Sequence, residues 1–186
     1  YSMLIEKHTT LAMTPEEIHQ KGLDELERIH AEMDVIRQEV GFAGSLLDFM
    51  GHLREDPKYR SPSAAWLMQE YQAIVDRATA NLPKLFGRLP EAKCYVKEIE
   101  PYRAPSAPVA YYNPSSPDGS RPGYFYVNTY KPEERVIYTT EALAYHEAVP
   151  GHHLQIALHS ENDTWPKFRR YDYITAYAEG WALYTE

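Results

Sequence analysis

His146 and Glu147 stand side by side, His152 and His153 follow His146 by six and seven positions, and Glu179 lies in the next helical stretch. Hydrolysis at a zinc ion needs three protein donors drawn from imidazole and carboxylate, a coordination position left for water, and a carboxylate close enough to take that water's proton. This set supplies all of them. His146 offers the first donor, His152 or His153 the second and Glu179 the third, while Glu147 reaches the water as general base. Zinc is the expected ion for two imidazoles and a carboxylate with an open position, and manganese or cobalt suit the same donors.

The spacing departs from the usual zincin pattern, in which the second histidine follows the first by four positions on one helical face. In a regular helix His153 shares a face with His146, but seven residues correspond to ~10.5 Å of rise, too far for two donors on one ion. Pro150-Gly151 is the device that shortens the path. Proline removes a hydrogen bond within the helix, and glycine tolerates unusual backbone angles. With two residues looped out, His152 takes the place of the second donor in a four-spaced motif, and His153 points elsewhere, toward substrate or a neighbouring carboxylate. As a plain surface helix end, "HEAVPGHH" would place charges against Leu143, Ala144, Ala148, Val149, Leu154 and Ile156, where an uncompensated charge is costly.

Residues for substrate contact are sought in "GYFYVNT", where Tyr124, Tyr126 and Asn128 alternate along one face of an extended strand. This strand is the expected edge for pairing with an extended peptide. Arg121 and Asp118 are candidates for a substrate terminus, although turn and surface roles suit them better. Glu141 precedes His146 by five positions, and Glu186 falls two turns after Glu179 on the same helical face, where it can orient a donor.

The elements that must position these residues follow from patterning. Thr14-Pro15-Glu16-Glu17 opens a helix with a capping box. Leu26, Ile29, Met33, Ile36 and Val40 continue it as an amphipathic packing helix, and Gly41 ends it. "SLLDFMGHLRED" forms a shorter helix, and a further one runs from about Ser63 to Leu82, with Trp66, Ile74 and Val75 toward the core. From Gly87 to Pro132 helical periodicity gives way to proline, glycine and tyrosine. "CYVKEI", "APVAYY" and "GYFYVNT" read as strands, the last two joined as a hairpin by the turn-rich "NPSSPDGSRPG". Helix resumes near Thr139 or Thr140, and the last helical segment starts near Tyr173. The expected fold is therefore mainly α with a small β-sheet, an α+β class, with a helical segment over 1–86 and the sheet plus metal-binding helices over 87–186.

A net charge of -8 excludes binding to a phosphate backbone as the main task. No stretch approaches the ~20 apolar residues of a membrane span. The single cysteine, Cys94, permits no internal disulfide and reads as a small buried hydrophobe. His8, His19, His30 and His52 lack donor spacing and read as surface or packing residues. The chain begins at Tyr1 and ends inside the helical pattern "ITAYAEGWALYTE", so it is expected to be a soluble internal piece of a longer protein. Export to the periplasm is left open for the full-length form, and nothing in the sequence speaks to oligomeric state.

"DGSRPGYFYVNT", "YHEAVPGHHLQ" and "YAEGWALYTE", in this order, resemble the bacterial family of domain of unknown function 885, grouped with the thermolysin-like, gluzincin-type clan of zinc metallopeptidases. The resemblance implies a zincin-like core with His146 as first ligand, Glu147 as general base and Glu179 as carboxylate ligand. Gly151-His152-His153-Leu154 matches a Gly-His-x-Leu run at the second ligand of helical clan members and so points to His152. The implied activity is zinc-dependent hydrolysis of a peptide or small protein. The family's chains continue beyond the EGWALY segment, and groups that stabilise the transition state in this clan lie downstream, so the piece is expected to bind metal and to be incomplete for turnover. The alternative is a metal-stabilised peptide-binding module without turnover.

Overall fold

Side-chain caps open the second and third helices. A short α1 (Ser2–Thr9) ends with Thr10 in the left-handed region at φ 61°. In α2 (Pro15–Glu39) the Thr14 hydroxyl accepts from the Glu17 N–H while the Glu17 carboxylate accepts from the Thr14 N–H, and Gly41 follows the helix at φ 72°. Ser45 and Asp48 repeat the reciprocal cap on α3 (Leu46–Glu55). The computed structural model describes all 186 residues and separates two compact units, Tyr1–Tyr59 and Arg60–Glu186.

The first unit holds these three helices. Where α2 turns into α3, the Phe42 ring centroid lies 5.3 Å from that of Phe49 and 5.4 Å from that of His52. One expectation is corrected here. The stripe containing Leu26, Ile29, Ile36 and Val40 is exposed, and α2 buries no residue, so it is not a packing helix within this chain. Periodicity shows that a helix has an apolar face but says nothing of what covers it.

The second unit is built on α4 (Ala64–Leu85), capped by the Ser63 hydroxyl, and on the strands β1 (Cys94–Glu98), β2 (Ala110–Asn113) and β3 (Gly123–Val127). The order is β1-β3-β2, parallel between β1 and β3 and antiparallel between β2 and β3. The hairpin expected from "APVAYY" and "GYFYVNT" is present. The expected edge strand is not: β3 is central, paired on both sides, and the outer edge on the hairpin side belongs to β2. Alternate residues of β3 serve the two faces. Phe125 and Val127 join Leu67, Tyr71, Ile74 and Val75 of α4 in the main core, with the ring of Tyr71 edge-on to that of Phe125. Tyr126 packs on the other face with Ile99 and Ala104.

Four helices complete this unit: α5 (Thr140–Glu147), α6 (His152–Ser160), α7 (Lys167–Tyr171) and α8 (Thr175–Tyr184). Ala144, Ala148, Val149 and Leu154 bury the junction of α5 and α6 against α4 and the sheet. Thus α4, although part of the helical segment 1–86, packs with the sheet and α5. No helix is long and apolar enough to cross a membrane. The architecture is mainly helical with a small three-stranded sheet, the α+β class.

Candidate metal centre

The break between α5 and α6 brings the two imidazoles together. The last regular bond of α5 runs from Ala148 N–H to Ala144 O, after which Gly151 N–H reaches back six residues to Tyr145 O and His153 N–H five to Ala148 O, at 2.8 and 3.0 Å. The Val149–Pro150 peptide within this bulge is cis. Gly151 is required by close approach, since a Cβ there would collide with the carbonyl oxygens of Tyr145 and His146. Helix α8 pins the bulge from outside: Trp181 Nε1 donates to Pro150 O at 2.8 Å, and Thr185 Oγ1 donates to Tyr145 O at 3.3 Å. The ring centroids of His146 and His152 end up 4.7 Å apart, edge to face.

Glu179 on α8 completes the donor set. Its Oε2 lies 3.5 Å from His146 Nε2 and 3.6 Å from His152 Nε2, and all three donor atoms lie within 4.8 Å of one another. Donors around a tetrahedral zinc, with bonds of about 2.0–2.1 Å, stand about 3.3–3.4 Å apart, so the set fits one ion with little rearrangement. Two further features favour binding. His146 Nδ1 lies 2.8 Å from Glu186 Oε1, so a proton on Nδ1 is held by the carboxylate and the Nε2 lone pair faces Glu179. His152 is buried, which lowers its pKa, with His146 adding to the shift and Glu179 opposing it, so its imidazole is held in the neutral form that metals bind. Its Nδ1 is buried without a hydrogen-bond partner. Tyr173, just before α8, donates its hydroxyl to Glu179 Oε1.

Glu147 is held differently. Its Oε2 accepts a hydrogen bond from the backbone N–H of Tyr112 on β2 at 2.8 Å, which fixes the carboxylate between helix and sheet. Half-burial raises its pKa, Glu179 adds to the rise, and His146 and the Tyr112 N–H oppose it. A carboxylate shifted upward with one oxygen anchored is suited to taking a proton.

The remaining sequence candidates lie apart from this cluster. His153 is buried with both ring nitrogens engaged: Nε2 with Ala92 O at 3.0 Å and Nδ1 with the Tyr112 hydroxyl at 2.8 Å. Gly123 leaves the room for this pair, since a Cβ there would stand 2.6 Å from the Tyr112 hydroxyl. Asn128 is buried and donates to the carbonyls of Ala104, Ala107 and Pro108, clamping the loop before β2. Tyr124 and Tyr126 lie on the face of β3 that packs with Ile99 and Ala104. Asp118 Oδ1 accepts from Ser120 within its own turn, Arg121 donates weakly to Pro122 O, and Glu141 pairs with Arg77 and Tyr145.

A cleft of about 610 Å³ opens over His146, Glu147, His152 and Glu179. Its walls bring in residues that sequence reasoning did not single out: Tyr111 and Tyr112 from β2, and Tyr171, Tyr173 and Tyr177 around α7 and α8. Tyr112 and Trp181 also hold site elements through hydrogen bonds. The one available signal was that "APVAYY" lies next to the turn-rich segment and precedes the central strand. Trp181 was visible as part of "EGWALY", but not as a partner of Pro150.

No curated protein matches the chain. A solved structure described as "The crystal structure of the putative lipoprotein from Colwellia psychrerythraea" is similar to it over its whole length, at 33% identity and a TM-score of 0.94. The chain spans 32% of that longer protein. The model of the family described as "Bacterial protein of unknown function (DUF885)" matches residues 1–186, and the chain belongs to that family.

Proposed function

We propose that this chain carries the metal centre of a zinc-dependent peptidase with a zincin-like core of the thermolysin-like clan. The observation that carries the reading is Glu147: a half-buried carboxylate, tethered through Oε2 to Tyr112 N–H, beside three donors spaced for one ion. His146, His152 and Glu179 would hold the zinc, which when bound supplies Lewis acidity toward a substrate carbonyl and an attacking water. Glu147 accepts a proton from that water as the C–O bond forms. It then delivers the proton to the departing nitrogen as the C–N bond breaks, so that peptide and water become carboxylic acid and amine. Tyr112 N–H keeps the carboxylate oriented through both transfers. An extended peptide would lie along the cleft beside β2, the edge strand whose Tyr111 and Tyr112 form its wall. Likeness to a chain described as a lipoprotein supports an exported setting for the full-length protein.

The test is Glu147→Gln in the full-length protein, with zinc measured by elemental analysis and peptide cleavage by mass spectrometry. The expected result is unchanged zinc and no cleavage. Equal zinc in wild type and His146→Ala would overturn the metal site. Zinc binding without cleavage of any peptide by the wild type would leave a peptide-binding module without turnover.

A further inference from the structure

A second cavity, about 680 Å³, adjoins the cleft over Glu147. The two share Ser115, Pro117, Ser160 and Arg170 as walls, so a chain lying in one can continue into the other. Four cationic side chains line this second cavity. Arg88 and Lys93 come from the connection between α4 and β1, Arg121 from the turn before β3, and Arg170 from α7. In a chain of net charge -8 this is a local reversal of sign.

The cations there are not neutralised by ion pairs. Arg170 donates from Nε and Nη2 to the carbonyl of Ser160, and Arg121 donates weakly to the carbonyl of Pro122 at 3.4 Å. Neither contact supplies a counter-charge. Arg88 and Lys93 are exposed residues that line the cavity. Three carboxylates also line the cavity, and two of them are turned to neutral donors. Glu161 accepts from the backbone N–H groups of Glu91 and Ala92 at 2.9 and 3.0 Å, and Asp118 accepts from the N–H and hydroxyl of Ser120. The Ser116 hydroxyl, and then the hydroxyl and N–H of Ser120, hold the pKa of Asp118 down to about 2. The third, Glu91, is exposed. Four unpaired cations, around a concavity large enough for several atoms of a ligand, suit a carboxylate, which guanidinium groups bind through paired hydrogen bonds.

We propose that this cavity is a carboxylate subsite continuous with the cleft, so that the protein prefers peptides carrying a carboxylate on the segment beyond the reacting bond. The carboxylate is either a free C-terminus or an acidic side chain. The proposal rests on the peptidase reading for the nature of the ligand, while the subsite itself is a matter of binding. Arg170, shared by both cavities, stands at the junction, whereas Arg88 and Lys93 line the second cavity and not the cleft.

The experiment uses zinc-loaded full-length protein with Glu147→Gln, so that peptides stay intact, and reads fluorescence anisotropy of labelled peptides. One peptide carries a free C-terminus, one is its C-terminal amide, and a second pair exchanges an internal Glu for Gln. The expected result is about tenfold tighter binding of whichever carboxylate form fits, the worth of one charge-assisted contact. The preference should be lost in Arg88→Ala/Lys93→Ala and reversed in Arg88→Glu/Lys93→Glu, with near-unchanged affinity for the neutral peptides. A preference for the free C-terminus over its amide assigns the subsite to a terminus, and a preference for Glu over Gln assigns it to a side chain. Equal affinity for charged and neutral peptides, or a preference that survives both double substitutions, overturns the proposal. The two readings fail separately. Cleavage by the wild type without any carboxylate preference removes the subsite and leaves the peptidase, whereas a carboxylate preference without cleavage retains the subsite and removes turnover.

Discussion

Tyr112 and Glu147 are joined by a 2.8 Å hydrogen bond from strand backbone to helix carboxylate. The Tyr112 hydroxyl meets His153 Nδ1, also at 2.8 Å. One residue of the edge strand therefore locks two neighbours of the donor histidines, one through its backbone and one through its side chain. The sheet and helices α5 and α6 act as one positioned unit.

This division of labour separates the adjacent histidines. His152→Ala should remove a donor and abolish stoichiometric zinc binding. His153→Ala should leave zinc stoichiometry intact while destabilising the protein by about 1–3 kcal/mol, because it removes a buried side chain whose two ring nitrogens both hold hydrogen bonds. Elemental analysis alongside urea denaturation distinguishes the two. Loss of zinc in His153→Ala at full stability would reverse the assignment.

Glu186 touches no second donor and acts only on His146 Nδ1. Glu186→Ala should weaken zinc binding by about 10–100-fold, the usual cost of removing a carboxylate behind a ligating imidazole. Glu186→Gln should lose less, since an amide oxygen still accepts the hydrogen bond. Competition with a chromophoric chelator measures both, and equal affinity in all three proteins would refute the role.

Gly151 and Gly180 make an internal control. Gly151→Ala drives a Cβ into the carbonyls of Tyr145 and His146 and should cost about 1–3 kcal/mol together with zinc affinity. Gly180→Ala meets nothing within 4 Å on α8 and should be neutral or stabilising by up to about 1 kcal/mol, as an alanine in a helix. Trp181→Phe, which leaves Pro150 O without its donor, should fall between them. Thermal unfolding of the zinc-free forms ranks the three, and a harmless Gly151→Ala would argue against the tight bulge.

Cys94 lies on β1 against the core, and burial pushes its thiol pKa up to about 12. The native protein should react slowly with a thiol reagent at pH 8 and rapidly in urea. The sign of the linkage follows from a folded pKa above the unfolded one. The neutral thiol's contribution is complete below the unfolded pKa and is lost as pH rises from there toward about 12. Wild type should therefore lose more stability than Cys94→Ala over that alkaline range. Fast labelling of the native protein would contradict the burial.

Much of the local structure was legible in the sequence because it depends on near neighbours. Thr14 with Glu17, and Ser63 ahead of Ala64, mark helix starts through bonds that span three residues. The β-rich runs around Cys94, Tyr111 and Phe125 mark strands, and Pro150-Gly151 marks the interruption that lets His152 approach His146. Sheet order is a long-range choice, and patterning does not carry it. "GYFYVNT" has the composition of an edge and a core strand alike, and pairing with β1 as well as β2 made it central. That choice sends Asn128 to the carbonyls of Ala104, Ala107 and Pro108 and gives the cleft wall to Tyr111 and Tyr112. The sequence by itself determined which residues have the chemistry of a metal centre and where the helix carrying them must break. Only the tertiary structure decided that α8 returns Glu179 to within 3.6 Å of both imidazoles and that a strand N–H holds Glu147, because bonds between distant segments exist only once the chain has packed.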